Sequence, residues 1–319
     1  MKKSLTALSA ILTVVFASAC TETTLLKAVT KSETILKTVT KTVEPYFHGP
    51  GITGTKFEKL NNRVYTYRWN WYRNIVIKTD DGLVVIDPMN AEMSTTLKKE
   101  LDKEFPGEKV HTLIYSHYHL DHTKGGEVLL PANVIAHEKS PTYWSAVDKT
   151  GVLEPTSYIQ GDTVLNIGGV EIQALYLGLS HTDTMYAFYL PQERLVFTAD
   201  VGLVKTMPPI GVPDRYAPGY LAAMNRIIEI DFDTFVPSHF GYGTKQDLVD
   251  WRDMMKDGSR LASEAIKNQG TPGVKVNQLG SYFDHIYPPM KEKYGHWHGF
   301  NQMFILNLVR DVLGESLGY

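Results

Sequence analysis

The chain of 319 residues contains one cysteine, Cys20. A single thiol cannot close an internal disulfide or build a thiolate metal site. Any bound metal must therefore be held by His, Asp, Glu or water. The chain also lacks a strong charge of either sign: 32 Lys and Arg stand against 35 Asp and Glu, for a net −3. With no long basic stripe, a nucleic-acid partner is not indicated. No cysteine besides Cys20 is available as a nucleophile, which turns the reading away from cysteine-based covalent catalysis. The apolar run near the N-terminus, roughly Leu5 to Phe16, is too short for a comfortable transmembrane span.

That run does have a use. Two lysines precede it and Ala17-Ser18-Ala19 follow it, the three-part pattern of a secretory signal. Cys20 comes directly after, an arrangement that resembles the lipobox of bacterial lipoproteins, although Ala17 stands where Leu is usual. The expectation is a signal at residues 1–20, and a periplasmic or outer-membrane-anchored protein held by acyl chains on Cys20. Simple cleavage after Ala19 is the alternative. Residues 21–50 are rich in Thr and Lys, and LLKAVTK at 25 echoes ILKTVTK at 35. They read as a tether.

From Asn61 the texture changes. VYTYRWNWY alternates, placing Tyr65, Tyr67, Trp69 and Trp71 on one face of an extended segment. NIVIKT and LVVIDP read as two strands joined at Asp80-Asp81-Gly82. A helix is expected over Ser94 to Phe105, starting near Ser94 or Thr95 and ended by Pro-Gly. HTLIYSH, NVIAHE, VEIQALYL, MYAFYL, RLVFTAD and DFDTFVPSH read as further strands, and helices are expected from about Thr244 and over the last ~20 residues. Hydrophobic residues make up 43% of the chain, enough for a substantial core. Strands in the middle with helices at intervals indicate a layered α/β or α+β fold. The expected division is a main domain at 51–260 and a helical extension at 261–319.

The densest chemistry is SHYHLDH at 116–122, which takes three of the 11 histidines. At the end of a strand, positions i and i+2 project to the same side, so His117 and His119 can share a metal. Asp121 and His122 follow where the chain turns and can aim at a second ion. Imidazole and carboxylate together suit Zn²⁺, Mn²⁺ or Fe²⁺. Further candidates stand at strand-to-loop transitions: His181 after ALYLGLS, Asp200 ending LVFTAD and His239 ending DTFVPS. His296 and His298, in GHWHG, form another HxH with no carboxylate–histidine after it, and read as a C-terminal aromatic loop.

Taken in order, DDGLVVIDP, SHYHLDHTKGG, SHTDT, FTAD and VPSHFG resemble the metallo-β-lactamase superfamily over roughly residues 55–245. The resemblance implies an αββα sandwich with the site at one edge of its two sheets. It implies that His117, His119 and His181 hold one metal, that Asp121, His122 and His239 hold a second, and that Asp200 bridges them. Two departures matter. Ser180 and Ser238 stand where Gly usually precedes the ligand histidine. Asp200 looks more like glyoxalase II, lactonases and other general hydrolases than like β-lactamases with a cysteine there.

Two divalent cations sharing a water lower its pKa from 15.7 to roughly 7, which supplies a nucleophile without serine or cysteine. The leading expectation is an exported dinuclear zinc hydrolase that acts on an ester, lactone, amide or related bond of a small molecule, with Asp121 as both ligand and catalytic orienter. Trp69, Trp71, Tyr72 and Tyr242 are candidates for the substrate pocket, Tyr242 also as a proton donor. Other readings of the same residues are a β-lactamase proper, a mononuclear iron enzyme like the sulfur dioxygenases of the superfamily, and a non-enzymatic lipoprotein. Oligomeric state does not follow from the sequence.

Overall fold

The computed structural model describes residues 52–209, 212, 214–268 and 279–317. The expected signal and tether, Cys20 included, lie outside the described residues. Strands β1 (Thr55–Lys59), β2 (Val64–Trp69), β3 (Tyr72–Thr79), β4 (Gly82–Ile86), β5 (Val110–Ile114), β6 (Asn133–His137) and β7 (Ser157–Ile159) form one sheet in chain order. β1 to β4 run antiparallel, and β4 to β7 run parallel. β8 (Thr163–Ile167), β9 (Val170–Tyr176), β10 (Tyr186–Leu190), β11 (Leu195–Thr198), β12 (Thr234–Pro237) and β13 (Gly243–Thr244) form the second, ordered β13-β12-β11-β10-β9-β8.

The apolar runs NIVIKT and LVVI are nearly unbroken because both faces of their sheet are covered. Ile75, Ile77, Val84 and Ile86 point between the sheets, where they meet Phe188, Phe197 and Val236. Val76, Leu83 and Val85 point the other way, onto Met93, Leu97 and Leu101 of helix Ala91–Glu104. Each buried aliphatic side chain of this kind contributes about 1.5–3 kcal/mol. The Asp80-Asp81 turn requires glycine next: Gly82 has φ 121°, and a Cβ there would stand 2.7 Å from the Lys109 carbonyl.

Helices Ala217–Ile228 and Lys245–Lys267 lie beyond the second sheet and complete the αββα layering. Helices Leu279–Tyr294 and Phe300–Leu317 pack onto Lys245–Lys267 and form the helical C-terminal region. Lys245–Lys267 runs unbroken through position 260, stabilised at its start by a Thr244–Asp247 capping box. Among the described residues no helix is long and apolar enough to cross a membrane.

Two local expectations need correction. Helix Ala91–Glu104 starts before Ser94, because the Asn90 side chain accepts from Met93 N at 2.9 Å. Ser94 is instead buried and donates to the Pro88 carbonyl at 3.0 Å. The segment expected to stay extended through Trp71 breaks at Asn70, whose φ of 53° makes a hairpin turn of Asn70-Trp71. Trp71 therefore leaves the face that Trp69 shares with Tyr65 and Tyr67. The sequence reading also does not anticipate helix Ala217–Ile228.

Candidate metal centre

β5 delivers the chain to the sheet edge, where Ser116 and His117 are fully enclosed. His119 then caps a single helical turn, Leu120–Thr123, which swings His122 back into the interior and leaves Asp121 exposed. Behind these rings stands Asp87, at the end of β4 with φ 63°. Its Oδ1 accepts from Ser116 N at 2.8 Å, and its Oδ2 accepts from Ser116 Oγ at 2.7 Å. The same Oδ2 lies 3.2 Å from His122 Nδ1. Because the Ser116 proton goes to Asp87, His117 must donate from Nδ1 to Ser116 Oγ, at 2.9 Å. Both rings thus carry their proton on Nδ1, and both leave Nε2 bare. His117 Nε2 and His122 Nε2 are buried without a hydrogen-bond partner.

The second sheet supplies the other side. Asp200 follows β11, and its side chain is 14% exposed. Its Oδ1 lies 2.7 Å from His239 Nε2, and its Oδ2 lies 3.1 Å from both His122 Nε2 and His181 Nε2. His117 Nε2 is 3.6 Å from Oδ2. Ser238 explains one departure from the family pattern, since its hydroxyl donates to Asp200 Oδ1 at 3.1 Å. The Tyr220 hydroxyl donates to the Asp200 carbonyl. The β2–β3 hairpin joins this side to the first sheet: Arg73 N donates to the Ser238 carbonyl at 2.6 Å and Phe240 N to the Trp71 carbonyl at 2.8 Å.

The charges are sharply differentiated. Burial, then the neighbouring His122 and His119, holds His117 well below the usual histidine value. His119 is depressed to about 4 by burial and by His181. Burial also opposes charge on His122, but Asp200 and Asp121 outweigh it and raise this ring well above its ordinary value. Burial would likewise raise Asp200, yet His122 and His239 hold it ionised well below the carboxylate range. Without a metal, the ionised Asp200 is balanced by a proton on His122, while His117 and His119 are held neutral beside it; a cation at the centre would take the place of that proton. Bare, buried Nε2 atoms facing such a carboxylate are the donor set of a divalent cation.

Three groups of residues could hold one: His117, His119, His181 and Asp200; Asp121, His122 and His239; and Asp87, His117 and His122. The seven residues named from the sequence all fall within these groups. Asp87 is the addition. It lay inside the DDGLVVIDP motif, and the polar residue ending an apolar strand was the available signal.

A cavity of about 220 Å³ opens over the cluster. Trp71 lines it and stacks on His239, with ring centroids 4.8 Å apart. Trp69 packs instead against the core outside the first sheet, and Tyr72 packs there while its ring centroid also lies 5.1 Å from that of His239. The Tyr72 hydroxyl bonds Asp121, and burial with Asp121 and Asp200 raises its pKa. Tyr242 is 39% exposed, does not line the cavity, and lies over the Arg73 guanidinium at 5.1 Å. Leu203, Pro209, Val212, Asp214, Tyr220 and Trp251 line the cavity without having been identified in the sequence.

The family model of the metallo-β-lactamase superfamily matches residues 74–239. The chain belongs to the metallo-β-lactamase superfamily. It is 28% identical over 267 residues to the 2,4-dinitroanisole O-demethylase subunit alpha of Nocardioides sp. strain JS1661, covering 82% of this chain and 80% of that one. It is 24% identical over 217 residues to a type 2 metallo-β-lactamase of Bacillus cereus, covering 64% and 84%. Among solved structures, a metallo-β-lactamase from Pontibacter korlensis aligns with TM-score 0.53 and 20% identity, over 61% of this chain and 96% of that one. The sec-alkylsulfatase Pisa1 of Pseudomonas sp. aligns with TM-score 0.65 and 17% identity, over 83% of this chain and 50% of that one. The two structures attest the fold, and the superfamily membership and sequence relatives make the chain a metal-dependent hydrolase-type enzyme.

Proposed function

We propose that the protein is a dinuclear zinc hydrolase that cleaves an ester, lactone, amide or related bond in a small uncharged molecule carrying an aromatic ring. The convergence of His117, His122, His181 and His239 on the single carboxylate of Asp200 carries this reading. His117, His119 and His181 would hold one ion and Asp121, His122 and His239 the other, with Asp200 shared between them. Zinc bound there supplies Lewis acidity and makes a nearby water acidic near neutral pH.

The chain's own groups do the rest. Asp121, exposed to the cavity and hydrogen-bonded by Tyr72, orients the attacking water and accepts its proton. The water oxygen bonds to the acyl carbon, the bond to the leaving oxygen or nitrogen breaks, and the proton passes to the leaving group. Trp71, Leu203, Pro209, Val212 and Trp251 offer an apolar and aromatic wall. Among the described lining residues there is no Lys or Arg, and Asp214, the acidic lining residue that is not a proposed ligand, adds negative charge. An anionic substrate would find no organic cation there, which favours neutral rings over the carboxylate of a β-lactam or a sulfate ester. The demethylase relative is named for an uncharged aromatic ether, in keeping with that preference. The N-terminal pattern supports export, with Cys20 as the acylated anchor.

The deciding experiment gives zinc-loaded protein a panel of chromogenic aryl esters, lactones, phosphodiesters, sulfates and a cephalosporin. The expected outcome is turnover of neutral aryl substrates well above the anionic ones. Purified protein that neither holds nor takes up a divalent ion, or that turns over only the anionic members, would overturn the reading.

A further inference from the structure

No sequence motif points to Asp214. It comes from the loop between β11 and helix Ala217–Ile228, lines the cavity, and has a 42% exposed side chain. Its Oδ2 lies 3.2 Å from His119 Nε2 and its Oδ1 lies 3.3 Å from His181 Nδ1. These two rings meet through their opposite nitrogens, with His181 Nε2 and His119 Nδ1 3.0 Å apart. One carboxylate fork thus reaches the outer edges of two neighbouring rings whose other edges face the centre. His181 Nδ1 is buried and has no aligned hydrogen bond, and Asp214 Oδ1 is the acceptor offered to it.

A carboxylate at the outer nitrogen favours a proton there and keeps the inner nitrogen bare for a metal. Asp87 gives this support to His122 directly and to His117 through Ser116. Asp87 groups with His117 and His122, and not with His119 and His181.

The loop that carries Asp214 is tied to distant parts of the chain. Next to it, the buried Arg215 pairs with Asp311 of helix Phe300–Leu317, and Arg310 donates to the Arg215 carbonyl. Asn307 of the same helix donates to the Pro208 carbonyl at 3.1 Å. Met207 N donates to the His298 carbonyl, and His298 N donates to the Lys205 carbonyl, each at 2.9 Å. Trp251 Nε1 donates to the Thr206 carbonyl at 2.8 Å.

We propose that Asp214 is a positioning residue that fixes the rings of His119 and His181 for metal binding, and that the C-terminal helix Phe300–Leu317 holds it in place through Arg215 and Asp311. The proposal rests on the metal reading above. It makes the C-terminal helix part of the metal site's affinity as well as of the fold.

The test is zinc affinity, read by competition with a chromogenic chelator, together with thermal unfolding of the metal-free protein. Asp214→Asn should bind one equivalent of zinc roughly 10–100-fold more weakly, with metal-free unfolding close to wild type. Asp214→Glu should recover part of the affinity, and Asp311→Asn should weaken the same equivalent several-fold. Two wild-type affinities in Asp214→Asn would overturn the proposal while leaving the metal reading intact. So would a lowered metal-free unfolding temperature with unchanged affinities. A wild-type chain that binds no zinc would defeat both.

Discussion

His122 and His181 face each other across Asp200, each with Nε2 3.1 Å from the same Oδ2. Behind them the molecule differs. His122 is fully buried, and its Nδ1 rests on Asp87, which is itself held by both Ser116 bonds and enclosed to 0% exposure. Asn74 closes the arrangement by donating to the Asp87 carbonyl at 2.8 Å. These residues stand on or just past β3, β4 and β5 of one sheet, with His122 on the helical turn that follows β5. His181 looks outward to Asp214, on a loop fastened to a helix almost a hundred residues further along the chain. The first half is held by neighbouring strand ends in a dry interior. The second depends on long-range ties and on a carboxylate in contact with solvent. A buried, multiply hydrogen-bonded network is rigid and strong, and a partly exposed one is weaker and easier to adjust.

Asp200→Ala should have the largest effect, because it removes the one group both halves share. We expect kcat/KM to fall by roughly a thousandfold, the scale of several kcal/mol of lost metal-ion catalysis. Metal content should fall with it, measured by plasma emission on the purified variant. Two full equivalents of metal in Asp200→Ala would show that the halves do not share this carboxylate.

Paired changes behind the histidines would sharpen the contrast between the halves. Asp87→Asn should lower zinc affinity roughly 10–100-fold, and it should also lower the unfolding temperature, since a buried acceptor for Ser116 and His122 is lost. Ser238→Gly removes a single hydrogen bond to Asp200, worth about 0.5–1.5 kcal/mol, and should cost only about 2–10-fold. Chelator competition and thermal melts on both variants give the comparison. Equal losses would erase the asymmetry argued here.

The same asymmetry governed what could be read from the residues alone. His117, His119, Asp121 and His122 were legible because six positions at a strand end define their own geometry. His181, Asp200 and His239 needed the order of several weak motifs. The strands were legible as short apolar runs bounded by turn residues, and their division into two sheets came only with the family resemblance. Asp214 was not legible: its neighbours, Val-Pro before it and Arg-Tyr after it, carry no periodicity, and it meets His119 and His181 only once the chain is folded. Helix Ala217–Ile228 was hidden by the Ala-Pro-Gly at its start, which reads as a loop, although proline is well suited to a helix's first turn. Trp71 was misassigned to a strand face because alternation continued through Asn70, a residue able to take the left-handed conformation that turns the chain there.

That turn leads to the smallest expected effect. Trp71 reaches the cavity because the hairpin bends one residue before it, and there it stacks on His239 and presents the rest of its surface to whatever the cavity holds. It donates nothing to the cluster, so its truncation should leave both zinc affinities within about twofold of wild type. Loss of one aromatic wall should weaken substrate binding by about 1–2 kcal/mol, the scale of an aromatic contact together with the apolar area it covers. KM for a neutral aryl substrate should therefore rise about tenfold in Trp71→Ala, with kcat little changed. Trp69→Ala, on the face turned toward the outer core, should lower the unfolding temperature without moving KM. The reverse assignment, with Trp69 setting KM and Trp71 only stability, would mean that the hairpin does not turn at Asn70.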